Sequence, residues 1–382
     1  MVKQRIKHEE IIPGRPLPFS IYDDDGNLLL TEGSVIESDF QLNTLLERGL
    51  YCYRLSRARR EESPQTPVIS YPFETIDEIY TGLNLLLGRS IADPKLPAKI
   101  LKLCSKLQDA CEHDTDACLG MIAFGHYYKY PIMHSIHTAL VCKTVLKRLG
   151  WLPEQRLMPM AAAMTMNISM IELQDKLYSQ RAPLSGKQKV EILDHPGRSV
   201  EMLEKCGVRD ELWLHTIIQH HELLDGSGYP SGQKEDSIVQ SSRVVTLGDV
   251  YGARISNRSY RKPILPTDAL RDFFVNKGQC LDQTMSKILI KNLGLFPPGS
   301  FVELSNGEIA VVTRVGKDAR HPEVASVVGA NGKRLSKPAV RNTAAAPFEI
   351  KKILTKNEAG IEVNRYQLWG YMRPEALSIR FD

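Results

Sequence analysis

The sequence reads as a mainly helical protein: an all-helical central domain flanked by small β-rich N-terminal and C-terminal modules. Three observations point there. Apolar residues recur at helical spacing from Phe73 to about Leu293, with no strand alternation. Hairpin signals between β-prone runs fall on either side of that stretch. A length of 382 residues allows two or three domains, each with its own core. The expected divisions are 1–66 as a β-rich module and linker, 67–125 as a helical lead-in, 126–297 as the main helical domain, and 298–382 as a small β-barrel-like module and tail.

Taken in order, Phe19 to Tyr22 and Leu28 to Thr31 flank Asp23-Asp24-Asp25-Gly26-Asn27, a hairpin turn. Phe40 to Gly49 predicts a short helix with Leu42, Leu45 and Leu46 on one face. Arg54 to Glu62 is charge-rich and precedes Pro64 and Pro67, the pattern of a solvated linker. Helical spacing then carries Ile76, Ile79, Leu83, Leu86 and Leu87, and again Ile100, Leu101, Cys104 and Leu107. Asp114-Thr115-Asp116 predicts a helix start, because carboxylates suit the positive end of the helix dipole. Further helices are expected over His134–Leu149, Pro159–Tyr178, Gly186–Cys206 and Glu211–Glu222. Beyond Pro297-Pro298, Asn306-Gly307 and Asn331-Gly332 separate β-prone runs, and Phe348 to Leu354 adds a further strand candidate.

Composition narrows the class. Hydrophobic content of 42% and charged content of 25% are ordinary for a globular protein. A net charge of +4 is too mild to make nucleic acid the main partner. The seven cysteines include no CxxC pair, which fits a reducing compartment. Cys104, Cys111 and Cys118 read as small buried hydrophobes. No apolar run is long enough for membrane insertion, and Met1 to Glu10 lacks the apolar core of a signal peptide. The expectation is a cytoplasmic protein.

The chemistry concentrates in the run His220-His221-Glu222-Leu223-Leu224-Asp225-Gly226-Ser227-Gly228-Tyr229-Pro230. His134, His195 and Asp249 stand on other predicted helices. Imidazole and carboxylate are ligands suited to first-row divalent ions. The residues alone, scattered over separate helices, do not define a site without a register. His126, His137 and His215 match no ligand pattern, and Trp151, Trp213 and the methionines from Met158 to Met170 read as packing.

The eleven-residue run resembles the hallmark of the HD-GYP phosphodiesterases, which hydrolyse cyclic di-GMP, and that resemblance supplies the register. It spans about 165 residues from Tyr130 onward. It implies an all-helical HD-type core. It also implies that His134, His195, His220, His221 and Asp249 are metal ligands. By the same likeness, Asp225, Gly228, Tyr229 and Pro230 shape the ligand pocket, and Arg258 and Arg261 hold substrate phosphate. A divalent metal such as iron or manganese is implied, with no organic cofactor. The implied partners are cyclic di-GMP or a related nucleotide, and diguanylate cyclase-type proteins that meet the Gly-Tyr-Pro loop.

The chain departs from the family in one segment, Met164-Thr165-Met166-Asn167-Ile168-Ser169-Met170. Met166 stands where the family has a metal histidine, Asn167 where it has the bridging aspartate, and Met170 where it has a phosphate-facing lysine. Tyr130 takes the place of a glutamate that some relatives use for a third metal. A two-metal hydrolase sets its ions about 3.5–4 Å apart, and a bridging carboxylate offsets their repulsion. Asparagine brings no charge to that bridge, and a thioether is a poor ligand for a hard ion. Three readings follow. The leading one is a degenerate, catalytically impaired regulator that binds nucleotide or a partner. The others are an active phosphodiesterase with a reduced metal site, and an interaction scaffold without nucleotide binding.

Overall fold

The computed structural model describes residues 72–88, 93–124, 128–256 and 280–371 continuously, with shorter stretches between residues 2 and 54 and position 268. It forms two compact units, Met1–Ile69 and Ser70–Asp382. The first carries a four-stranded antiparallel sheet of β1 (Val2–Arg5), β2 (Ile21–Tyr22), β3 (Leu28–Leu30) and β4 (Tyr51–Arg54), in the order β1-β4-β2-β3. The expected hairpin joins β2 and β3. Asp23 closes it by accepting the Asn27 amide at 2.7 Å. Ile6, Ile11, Leu17, Ile21, Ile36 and Leu42 are its core. Of the helix expected over Phe40–Gly49, residues 41, 42, 44 and 45 are helical and the others lie outside the described residues.

The second unit begins with α1 (Pro72–Leu87), which buries Phe73, Ile76, Ile79 and Leu83 at helical spacing. It packs on α2 (Leu96–Phe124), whose run is broken at Asp114 (φ −153°, ψ 90°). That break is the helix start read from the sequence: the Asp114 carboxylate accepts the Ala117 amide at 2.9 Å. Cys104, Cys111, Cys118, Cys142 and Cys206 are all buried and unpaired by disulfides.

The centre of the unit is α3 (Tyr130–Arg148), buried continuously from Pro131 to Leu146. Its main partner is α8 (Gln240–Ile255). The approach is close because α8 offers glycine twice on the facing side. A Cβ at Gly248 would lie 3.2 Å from the Thr138 carbonyl oxygen, and one at Gly252 would lie 3.2 Å from His134 Nδ1. A side chain at either position would require its neighbour on α3 to give by a few tenths of an ångström.

Two helix boundaries differ from the sequence reading. Pro159–Tyr178 is not one helix. It divides into α4 (Leu157–Thr165), a 3-10 turn (Ile168–Met170) and α5 (Ile171–Ser179). Asn167 (φ −103°, ψ 13°) and Met170 (φ −128°, ψ 18°) leave helical geometry. The turn is held from outside: the Ser169 hydroxyl donates to the His195 carbonyl at 3.0 Å. Apolar periodicity cannot register a break imposed by tertiary hydrogen bonds. Likewise α7 (Glu211–Ile218) stops before Glu222. The next polar side chains satisfy backbone elsewhere, Gln219 accepting the Val239 amide at 3.0 Å. Between them, α6 (Gly186–Lys205) starts at a capping box of Ser185 and Gln188.

After α9 (Gln283–Leu293) the chain forms β5 (Phe301–Leu304), β6 (Ile309–Arg314), β7 (Glu323–Val328), β8 (Arg334–Asn342) and β9 (Ile350–Leu354). They make one antiparallel sheet in the order β8-β7-β6-β5-β9. Both Asn-Gly turns join neighbouring strands, with Gly307 at φ +86° and Gly332 at φ +72°. Two short helices follow, α10 (Lys356–Ala359) and α11 (Arg365–Trp369). The sheet docks on the break in α2. Arg314 and the Tyr371 hydroxyl donate to Asp114, and the Val315 amide donates to Asp116 at 3.2 Å. No helix among the described residues is long and apolar enough to cross a membrane.

Candidate metal centre

Three histidines converge: ligand atoms of His195, His220 and His221 all lie within 4.8 Å of one another. Two of them are oriented alike, each by a bond from Nδ1 to the carbonyl three residues back. Pro196, inside α6, has no amide proton, so the carbonyl four residues back at Ile192 loses its helical partner. The His195 Nδ1–H donates to that carbonyl at 2.5 Å. His220 follows the end of α7, where the helical pattern of amide-to-carbonyl bonds ends. Its Nδ1–H donates to the Ile217 carbonyl at 2.6 Å. Neighbouring elements hold the backbone of both, since the Thr246 hydroxyl donates to the His220 carbonyl at 2.7 Å and Ser169 to that of His195.

These contacts settle the tautomers. A carbonyl only accepts, so Nδ1 carries the proton in both rings and each Nε2 keeps a bare lone pair. The two Nε2 atoms face each other at 3.2 Å. Two lone pairs at that distance repel unless a cation lies between them. A shared proton is disfavoured, because burial pushes His195 down to about 3 and also lowers His220. The donor set therefore fits a divalent ion of the imidazole-binding kind.

Asp249, projecting from α8, stands beside the three histidines. Its Oδ2 is 3.9 Å from His221 Nδ1, and its Oδ1 accepts from His134 Nε2 at 2.7 Å. Burial alone would raise the Asp249 carboxyl; the His134 hydrogen bond and the facing imidazoles outweigh it and hold the group below the usual carboxylate range. His134 is 1% exposed, and its Nδ1 has no hydrogen-bond partner. In this arrangement His134 orients Asp249, with its Nε2 proton engaged by the carboxylate.

The segment Met164–Met170 runs from the end of α4 through the 3-10 turn. Met166 is fully buried in the hydrophobic core, and Met170 is half-buried at the 3-10 turn. Asn167 is 3% exposed, and its Oδ1 has no hydrogen-bond partner. A buried amide oxygen without a donor costs on the order of 1–3 kcal/mol.

The Gly-Tyr-Pro loop folds back on the histidine pair. Tyr229 stacks on His221, with centroids 4.6 Å apart at 22°, and its amide donates to the His221 carbonyl at 3.1 Å. Gly228 makes that path possible: a Cβ there would lie 2.5 Å from Leu223 N and 2.6 Å from Glu222 Cα. Pro230 follows through a cis peptide. Asp225 accepts the Ser227 amide at 3.0 Å and the Cys280 thiol at 2.9 Å. A residue that the sequence reading passed over closes the loop. Glu222, 3% exposed, accepts the amides of Ser231 at 2.7 Å and Gln233 at 2.9 Å. Its signal was position, directly after the paired histidines. Gly228→Ala is expected to destabilise the protein by about 2 kcal/mol or more, as a backbone overlap of this kind does. It should weaken metal binding as well. Thermal melts with and without metal check both, and wild-type behaviour in each would show that the loop has another path.

The other candidates divide clearly. Arg258, Arg261 and His126 lie outside the described residues. His137 is buried and His215 is exposed, as core and surface residues. The Trp213 indole donates to Thr165 at 2.9 Å in the core, and that of Trp151 to Gln240 at 2.9 Å.

Residues 121–285 match the HD domain family. The chain is 23% identical over 242 residues to the cyclic di-GMP phosphodiesterase PdeB of Borreliella burgdorferi, covering 63% of this chain and 64% of that one. It is 26% identical over 198 residues to the cyclic di-GMP phosphodiesterase PA4108 of Pseudomonas aeruginosa, covering 52% and 47%. It thus spans less than two thirds of either relative. Among solved structures, Bd1817, an HDG"Y"P protein from Bdellovibrio bacteriovorus, superposes with a TM-score of 0.50 at 12% identity, covering 75% of this chain and 98% of that one. That likeness concerns the fold. Residues 121–285 thus carry an HD domain, with the histidine pair and the Gly-Tyr-Pro loop of the HD-GYP type inside the match.

Proposed function

We propose that this protein is a catalytically impaired HD-GYP regulator that binds cyclic di-GMP or a close relative at a one-metal centre and turns it over little or not at all. The observation that carries the reading is the facing pair of Nε2 lone pairs on His195 and His220, which calls for a cation. His195, His220, His221 and Asp249 would hold the ion, with His134 orienting Asp249. A divalent ion there would attract a phosphodiester and lower the pKa of its bound water. The residues that would place a second ion and neutralise the phosphoryl oxygens are Met166, Asn167 and Met170, and none of the three side chains carries charge. Arg258 and Arg261 are assigned to the phosphates, and Asp225, Gly228, Tyr229 and Pro230 to the pocket wall. The loop is also the surface assigned to a diguanylate cyclase-type partner. The two β-rich modules are assigned to docking, in the cytoplasm.

The retained histidines and Asp249 also support a second reading, a slow phosphodiesterase working with one metal. Titration of the purified protein with cyclic di-GMP, prepared without oxygen and supplied with ferrous iron or manganese, separates the two. Binding without linear or mononucleotide product is expected. Metal-dependent product, lost in His220→Ala, would establish the second reading. Absence of binding would leave an interaction scaffold.

A further inference from the structure

The backbone carbonyl of each facing histidine accepts from a hydroxyl on another element, Ser169 for His195 at 3.0 Å and Thr246 for His220 at 2.7 Å. The hold on His195 is a closed circuit. A carbonyl only accepts, so the Ser169 hydroxyl gives its proton to His195. The Ser199 hydroxyl then donates to Ser169 Oγ at 2.9 Å, and Ser199 Oγ accepts the Ser169 amide at 3.3 Å. Each proton has one destination. Ser199 stands one turn after His195 on α6 and is fully buried, while Ser169 is the middle residue of the 3-10 turn. The circuit ties α6 to the turn at the level of the His195 backbone. The ring is fixed as well, its Nδ1 bonded to the Ile192 carbonyl at 2.5 Å. That leaves the bare Nε2 opposite the one on His220, 3.2 Å away. Two lone pairs at that distance move apart unless the scaffold holds them. Apolar contact is non-directional, whereas a hydrogen bond fixes distance and angle.

We propose that Ser169, steadied by Ser199, is a positioning residue of the histidine centre, setting the His195–His220 separation and with it the affinity for a divalent ion. The inference rests on the one-metal reading given above and gives the segment Met164–Met170 a part in it. Through Ser169 that segment acts on the metal without supplying a ligand. Groups that orient metal ligands tune affinity by about 10–100-fold.

The test uses the full chain and manganese, with cobalt(II), whose visible bands follow the geometry of its ligands, as a second probe. Ser169→Ala is expected to weaken manganese binding on the order of 10-fold, the lower end of that range, because the hydroxyl holds backbone rather than ring. The cobalt bands should shift. The metal-free melting temperature should fall little, since rings held less firmly also repel less. Ser169→Thr, which keeps the hydroxyl, should restore affinity and bands. With Ser169→Ala in place, Ser199→Ala should add little, because Ser199 acts through Ser169, whereas independent packing losses would add. If wild type binds metal and Ser169→Ala matches it in affinity and bands, the positioning role is refuted whatever the melting temperature, and the one-metal reading stands. If Ser169→Ala does not fold, Ser199→Ala is measured in its place, and wild-type affinity and bands there refute the role. If wild type binds neither ion, both inferences fall together.

Discussion

His220→Ala strips the purified protein of its metal. The expected loss of affinity exceeds about 100-fold, since disturbing even an outer partner of a ligand costs about 10–100-fold. The effect is large because His220 has two jobs. It offers a lone pair, and it stands opposite His195 at 3.2 Å, so its removal leaves His195 and His221 with no third imidazole. Metal analysis after dialysis against ferrous iron or manganese reads the result directly, and the visible bands of added cobalt give a second measure. His321→Ala, in the loop before β7, should bind metal as wild type does. Wild-type metal content in His220→Ala would mean that the facing histidines hold each other through some other contact.

Placing the residues that the family resemblance implies at positions 166, 167 and 170 should have the opposite sense. The variant Met166→His/Asn167→Asp/Met170→Lys is expected to take up a second metal ion and to gain hydrolysis of cyclic di-GMP by on the order of 100- to 1000-fold. That is the usual value of one such electrostatic contact, and the three do not add independently. The variant has a cost without metal. Met166 is fully buried, and a histidine there desolvates a polar ring worth about 1–3 kcal/mol unless it is ligated. The metal-free variant should therefore melt below wild type, and metal should raise its melting temperature more than it raises that of wild type. Metal stoichiometry equal to wild type would show that the segment's side chains do not reach the centre.

Much of this was legible in the sequence, for reasons that differ along the chain. The histidine pair and the Asp-Gly-Ser-Gly-Tyr-Pro loop are contiguous, so their mutual placement is local and survives in the residue order. The restart of α2 at Asp114 was legible because a cap is a local hydrogen bond. The division of Pro159–Tyr178 was not, because Ser169 is held by the carbonyl of His195, a residue 26 positions away. The same holds for Glu222, whose role depends on amides that only the folded loop presents. Gly248 and Gly252 look like ordinary glycines until α3 lies across them, and only then does Asp249 meet His134. The family likeness assigned His134 and Asp249 to the metal, and the fold brings the two side chains together at 2.7 Å.

The Glu222 clasp has a thermodynamic consequence. One carboxylate, adjacent in sequence to His221, holds the far end of the loop by two backbone amides, while Tyr229 lies on the His221 ring. Metal and loop therefore share a single folding unit, and occupancy of one changes the free energy of ordering the other. Linkage makes the exchange symmetric. A protein that grips the loop more tightly when metal is bound must, by the same factor, tighten the hold on the metal. Metal supplied to the histidine centre would then set how firmly the Gly-Tyr-Pro loop is ordered.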